Sequence, residues 1–248
     1  MNSKLLEGKN AIVTGTARGM GSEILRLFAK NGANIWACAR TETPELLERY
    51  SSLSKEYRVE IWPLFFDLAD AEAIKTAFME IRRSKRQVDI LVNNAGITYN
   101  ALFQMSSMAE VRNQMEVNFF APYLLTQYVS KLMTRTGGSI INTASSAAFD
   151  GNPGKTAYGA SKAALVAMTH SLANELGKYG VRANCIAPGI TDTDMLQTMP
   201  EKVVEDLKES VALQRCGTVS DVAKTALFLA SDLSSYVTGQ VIRVDGGM

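Results

Sequence analysis

Thr14-Gly15-Thr16-Ala17-Arg18-Gly19-Met20-Gly21 follows a short apolar run, Asn10–Thr14, and leads straight into a segment of helical pattern over 21–31. A strand that turns through glycines into a helix is the form of a nucleotide-binding βα unit. The glycines permit a tight turn. They also let backbone N–H groups at the helix start approach a pyrophosphate. The spacing is GxxxGxG, not the GxGxxG of the common dinucleotide fingerprint. An ordinary βα turn also uses glycine, so the meaning of this one rests on the rest of the chain.

Further apolar runs stand at 33–39, 59–65, 90–92, 139–143, 182–186 and Val241–Val244. They are rich in Ile, Val and Ala and do not strictly alternate with polar residues, as expected of strands buried on both faces. Helical patterns fill the intervals at 21–31, Pro44–Tyr57, 71–86, 110–133, 156–179, 201–209 and 220–230. Asp70 reads as an N-cap, and Gly32 and Gly180 read as helix stops. The alternation predicts an α/β fold: a doubly wound (Rossmann) parallel seven-stranded sheet with helices on both faces. Ligand is expected at the carboxyl ends of the strands. No linker-like stretch or internal repeat divides the chain, so residues 1–248 read as a single domain.

Of the 248 residues, 46% are hydrophobic and 21% charged, a globular balance with enough apolar content for a large core. The 26 basic and 25 acidic residues leave a net charge of +1, which favours neither nucleic acid nor an anionic membrane as partner. No run of about 18 apolar residues exists, so no transmembrane helix is expected. The polar start of the chain does not read as a signal peptide. Cys38, Cys185 and Cys216 form no CxxC pair, which fits a reducing cytoplasmic location. With His170 as the lone histidine, no metal site is readable. No GxSxG elbow supports a hydrolase.

Motifs along nearly the whole chain resemble the short-chain dehydrogenase/reductase family. They are the TGxxxGxG turn, Asn93-Asn94-Ala95-Gly96 after the fourth strand, and Asn118 within Val117-Asn118-Phe119. Ser145 follows thirteen residues before Tyr158, then Tyr158-Gly159-Ala160-Ser161-Lys162 and Pro188-Gly189. Gly151-Asn152-Pro153-Gly154, Thr193-Asp194-Met195 and the ending Val244-Asp245-Gly246-Gly247-Met248 are most similar to 3-oxoacyl-[acyl-carrier-protein] reductases.

The resemblance implies a catalytic set of Asn118, Ser145, Tyr158 and Lys162, with substrate held by Ser145 and Tyr158. A free phenol has a pKa of roughly 10 and must be shifted down to exchange protons near neutrality. Tyr158 and Lys162 lie four apart in a helical segment, so both share one face. A nearby ammonium favours the phenolate. In the family, Tyr158 would protonate a carbonyl oxygen during hydride transfer, Ser145 would hydrogen-bond it, and Lys162 would bind the nicotinamide ribose. Asn118 would hold a water that relays protons from Lys162.

The cofactor would lie along Gly15, Thr16, Ala17, Arg18, Gly19, Met20 and Gly21. Further contacts would come from Arg40 and Thr41, Asp67 and Leu68, and Asn94, Ala95 and Gly96. Tyr158, Lys162, Pro188, Gly189, Ile190, Thr191 and Thr193 would complete the site. NAD sites usually place an acid at the end of the second strand. Here that position is Ala39, followed by Arg40, with Arg18 inside the loop. Two guanidinium groups suit a 2′-phosphate, so the cofactor is expected to be NADP(H).

The expected substrate is a ketone or 3-oxoacyl thioester, on an acyl carrier protein in the nearest relatives. Thr136 and Asn174 stand where such reductases often carry carrier-docking arginines. Residues 97–108, and a lid at about 191–210, should flank the substrate. Two alternatives stay open: a reductase of sugars, polyols or other small ketones, and a non-catalytic nucleotide sensor or scaffold. The family resemblance also implies a homotetramer.

Overall fold

In the computed structural model, residues 4–191, 205 and 209–248 are described. Among them, one sheet forms from β1 (Asn10–Thr14), β2 (Asn34–Ala39), β3 (Ile61–Phe65), β4 (Ile90–Asn93), β5 (Gly138–Thr143), β6 (Val181–Pro188) and β7 (Val241–Val244). The seven strands run in the order β3-β2-β1-β4-β5-β6-β7, and every neighbouring pair is parallel. The helices are α1 (Gly19–Lys30), α2 (Pro44–Tyr57), α3 (Ala71–Arg83), α4 (Met108–Met115), α5 (Ala121–Met133), α6 (Thr156–Leu176) and α7 (Val219–Ala230).

The strands avoid polar alternation because each feeds two cores. Ala11, Val13, Ile35 and Ala37 point to one face, where Ile24, Leu25 and Phe28 of α1 and Val222, Ala226 and Leu229 of α7 pack. Ile12, Trp36 and Cys38 point to the other, against Ile74, Phe78 and Ile81 of α3 and Leu125, Val129 and Met133 of α5. Side chains alternate with a period of two along a strand, so covering both faces demands apolar residues at both parities. Only the edge strands β3 and β7 relax the rule, being mostly half-buried. Pro63 sits in edge strand β3, where a missing N–H donor is tolerated.

Asp70 caps α3 as expected, its Oδ1 accepting from the N–H groups of Glu72 and Ala73 at 2.9 and 3.1 Å. Gly32 and Gly180 follow their helices with φ of 89° and 71°. The long helix expected at 110–133 is interrupted. Residues Glu116–Phe120 form one π-helical turn between α4 and α5. Such a turn accommodates one extra residue and is frequent at functional sites. The helix expected at 201–209 falls outside the described residues except for 205 and 209.

β1 lies between β2 and β4, so the chain leaves it in one direction and returns on the other side. A crevice opens at such a switch point, beyond the carboxyl ends of the strands.

Candidate active site

Thr14 ends β1 at this crevice. Its hydroxyl accepts from the N–H groups of Asn94 and Ala95, both at 3.0 Å, and donates to the Val92 carbonyl at 3.3 Å. Asn94 returns a bond from Nδ2 to the Thr14 carbonyl at 3.1 Å. The glycine loop and the Asn94-Ala95-Gly96 segment are thereby joined at their roots. Gly15 adopts a φ of 74°, and a Cβ there would stand 2.9 Å from the Ala95 Cα. At Gly21 an added Cβ would collide with the Gly15 carbonyl. Both positions require glycine.

A cavity of about 980 Å³ lies over this loop. Its lining includes Gly15, Ala17, Arg18, Gly19, Met20 and Gly21, then Arg40, Asp67, Leu68, Asn94, Ala95 and Gly96. Residues not anticipated from the sequence also line it, among them Cys38, Phe66, Asn113 and Val219. Helix α1 starts at the loop with no acidic residue in its first turn, so its positive end is not offset there. Arg18 and Arg40 are exposed, and neither pairs with a carboxylate among the described residues. Ala39 is buried and offers no charge. Asn94 Oδ1 is buried without a hydrogen-bond partner. A free helix end, two unpaired guanidinium groups and glycines pressed against backbone together fit a phosphorylated dinucleotide.

One support for the loop could not be read from motifs. Arg49 of α2 donates from Nη2 to the carbonyls of Thr16 and Ala17 at 2.7 and 3.0 Å. The neighbouring Tyr50 hydroxyl meets Thr16 Oγ1 at 2.6 Å. Thr16 is therefore fully buried, and its side chain faces α2 instead of the cavity. Thr41 is exposed and does not line the cavity.

Ser145, Tyr158, Lys162 and Asn118 come together beyond Gly96. Ser145 stands beside Tyr158, where its hydroxyl favours the phenolate. Ser145 sits past the end of β5 in extended conformation, its Oγ accepting from the Ala147 N–H at 3.2 Å. Gly159 lets α6 press onto this turn, since a Cβ there would lie 2.6 Å from the Ala147 carbonyl. Lys162 is buried, with Nζ donating to the Thr143 carbonyl at 2.7 Å. A Cβ built on Gly96 would lie 3.2 Å from Lys162 Nζ and 3.1 Å from Asn118 Oδ1. Gly96 is thus the contact between the cavity and the buried set.

Asn118 is fully buried in the π turn, not turned to solvent. Its Oδ1 accepts from the Ile97 N–H at 2.8 Å, and its Nδ2 donates to the Ile97 carbonyl at 2.8 Å and to Ser161 Oγ at 3.0 Å. It pins the segment after β4 to α6.

The electrostatics differ from the sequence expectation at Tyr158. Burial raises its phenol above the ordinary value, and the neighbouring Ser145 hydroxyl offsets this only in part. Lys162 does not offset this, because its ammonium faces the Thr143 carbonyl, 5.8 Å from the centre of the Tyr158 ring. Burial also lowers Lys162, from 10.5 to about 8.

Tyr158, Lys162 and residues 188–191 do not line the nucleotide cavity. Pro188 is buried at the end of β6, and Gly189 packs on Asp245, where a Cβ would come within 2.6 Å of the Asp245 Cβ. The Ile190 carbonyl accepts from the Gly217 N–H at 2.9 Å, and Thr191 bridges to Gly217. Thr193 and most of the expected lid at about 191–210 lie outside the described residues.

A family profile described as "Enoyl-(Acyl carrier protein) reductase" matches residues 15–248. A 3-oxoacyl-[acyl-carrier-protein] reductase from Aquifex aeolicus is 37% identical over 244 residues, 98% of this chain and 98% of its own. The chain belongs to the short-chain dehydrogenase/reductase family. Within that family, a 3alpha-hydroxysteroid dehydrogenase from Mediterraneibacter gnavus is also 37% identical, over 98% of this chain and 97% of its own. A candidate NAD(P)-dependent gluconate 5-dehydrogenase from Beutenbergia cavernae, solved with NADP at low occupancy, superposes with a TM-score of 0.92 at 33% identity. The match covers 99% of this chain and 98% of that one. A metagenomic blue fluorescent protein in complex with NADPH gives 0.89 at 35% identity, over 98% of each chain. As a short-chain dehydrogenase/reductase, the chain is an oxidoreductase acting between CH–OH and C=O with a nicotinamide cofactor.

Two outcomes follow from the geometry. Gly159→Val should push α6 off the Ala147 carbonyl and separate Tyr158 from Ser145. Turnover should fall at least about tenfold, while nucleotide affinity, read by fluorescence titration, stays near wild type. For Lys162, the folded value lies below the unfolded one, so the unfolded chain binds more protons between about 8 and 10.5. The stability of the nucleotide-free chain, measured against Lys162→Met by urea melts, should therefore rise with pH across that window.

Proposed function

We propose that the chain is an NADPH-dependent reductase of ketones, with 3-oxoacyl compounds as the leading substrate class and Tyr158 as general acid. The observation that carries this reading is the neighbouring hydroxyls of Ser145 and Tyr158, set beside buried Lys162, which meets the cavity through Gly96. Two hydroxyls so placed can both donate to one carbonyl oxygen. When bound, the reduced nicotinamide supplies the hydride taken up by the carbonyl carbon. Tyr158 gives its proton to the oxygen, and in the reverse direction takes it back. Its raised pKa keeps it protonated before reaction, the state a donor needs. Lys162, whose ammonium lies on the Thr143 carbonyl, is assigned to the nicotinamide ribose hydroxyls. Asn118 has its side chain committed to Ile97 and Ser161, so we assign it first to positioning, with any proton relay running beside it.

The choice of NADP(H) rests on Arg18, Arg40 and the uncharged Ala39. Asp67 engages the Ala69 N–H with Oδ1 at 2.9 Å and lines the cavity, which suits the adenine amino group. The NADP and NADPH complexes of the similar structures support the same choice.

Residues 1–248 are read as one such unit. We place it in the cytoplasm, on its free Cys38, Cys185 and Cys216. No helix among the described residues is long and apolar enough to cross a membrane. We also read it as a homotetramer, supported by a groove of about 540 Å³ between α5 and α6 with Tyr123 exposed beside it. Carrier-protein docking gains no support from Thr136 and Asn174.

Tyr158→Phe should lower kcat by about 10²–10⁴-fold while NADPH still binds. Near-normal turnover would overturn the assignment. Arg40→Glu should raise KM for NADPH roughly 10–100-fold and leave KM for NADH close to its starting value. A wild type that prefers NADH in kcat/KM would refute the cofactor choice.

A further inference from the structure

Lys155 stands immediately before α6 and carries its ammonium over the Tyr158 ring, with Nζ 5.4 Å from the ring centre. Lys162 approaches the same ring but directs its proton to Thr143. The Lys155 ammonium has no ion pair among the described residues. Asp150, the acid nearest in the chain, is held by both arms of Arg243 at 3.0 Å each. Lys155 is half-buried, and that burial lowers its ammonium pKa. A partly desolvated cation without a counter-charge costs stability, and an arriving anion would relieve it.

The surroundings add a second requirement. The Gly154 carbonyl accepts from the Ala101 N–H at 3.0 Å, which ties the turn before Lys155 to the segment after β4. That segment exposes Tyr99, Leu102, Phe103 and Met105, and Phe149 is exposed six residues before Lys155. Large exposed apolar side chains on a segment tied to the turn before Lys155 offer a surface suited to an apolar ligand.

We propose that Lys155 is a carboxylate subsite beside the reacting ketone, and that the substrate is a free 3-oxo acid with an apolar tail. The proposal rests on Tyr158 being the proton donor. With the ketone oxygen at the Tyr158 hydroxyl, one methylene separates the reacting carbon from the carboxylate. That short span suits two groups bound at one ring. The tail then leaves past the apolar side chains. A thioester of the same acid would bring a neutral oxygen to Lys155 and leave its charge uncompensated.

The test is steady-state NADPH oxidation with 3-oxohexanoate, its ethyl ester and its N-acetylcysteamine thioester. Wild type should favour the acid over both neutral forms by roughly tenfold or more in kcat/KM, mainly through KM. Lys155→Met should bring the acid-to-ester ratio towards one, and Lys155→Arg should retain most of it. A wild type that reduces the ester or thioester at least as well as the acid overturns the subsite. So does a Lys155→Met variant in which the ratio is intact. Activity with neutral ketones alone would sink the subsite and spare the reductase reading. No oxidation of NADPH with any of the three, or with simple cyclic ketones, would overturn both.

Discussion

The Thr14 hydroxyl bridges the two diverging halves of the sheet. β1 feeds the glycine loop and β4 feeds Asn94-Ala95-Gly96, and one oxygen accepts both N–H groups of the second segment while donating to Val92. From that junction the loop can reach its partners on one side, where Arg49 and Tyr50 hold it from α2. On the other side Gly96 reaches Lys162 and Asn118. The nucleotide cavity and the buried reactive set are thus built on one fixed point. A buried hydroxyl that makes three hydrogen bonds leaves little freedom to either segment.

The reactive set is assembled by burying polar groups, which is expensive unless each is partnered. Lys162 finds Thr143, and Asn118 finds Ile97 and Ser161, while Tyr158 stands beside the Ser145 hydroxyl. Behind them, Asn93, Asn142 and Thr169 continue a chain of hydrogen bonds at 2.8 Å between sheet and α6. The remaining imbalance appears in the acid–base groups. Burial biases Tyr158 and Lys162 alike towards their neutral forms. Lys162, at about 8, still carries most of its charge near neutrality, while Arg18, Arg40 and Lys155 have no carboxylate partner among the described residues. On the reading proposed above, those three would meet a ligand's negative groups.

Much of this was readable from the chain. The strands were legible because both parities along β1 and β2 are apolar, and the caps at Asp70, Gly32 and Gly180 were legible because their chemistry is local. The spacing of Ser145, Tyr158 and Lys162 named three residues that the fold does bring together. What stayed hidden depends on non-local geometry. Arg49 carries no motif, and only the fold brings α2 against the loop. Thr16 belongs to the glycine stretch, yet its side chain turns inward to Tyr50. The direction of the Tyr158 shift could not be foreseen, because a helical spacing of four places two groups on a face without saying where the ammonium points. The apolar periodicity of 110–133 likewise gave no sign of the π turn.

That turn sets a phase. On a regular helix each residue advances about 100° around the axis, so one inserted residue rotates everything after it by that angle. Asn118 faces inward towards Ile97 and Ser161, while Ala121, Leu125, Val129 and Met133 face the core from α5. Deleting one residue between Glu116 and Phe120 would restore an unbroken helix, yet it would force a choice. Either the core stripe stays seated and Asn118 swings away, or Asn118 stays and the stripe turns to water. The insertion is what allows one continuous rod of chain to satisfy an architectural face and a chemical one that are out of step with each other.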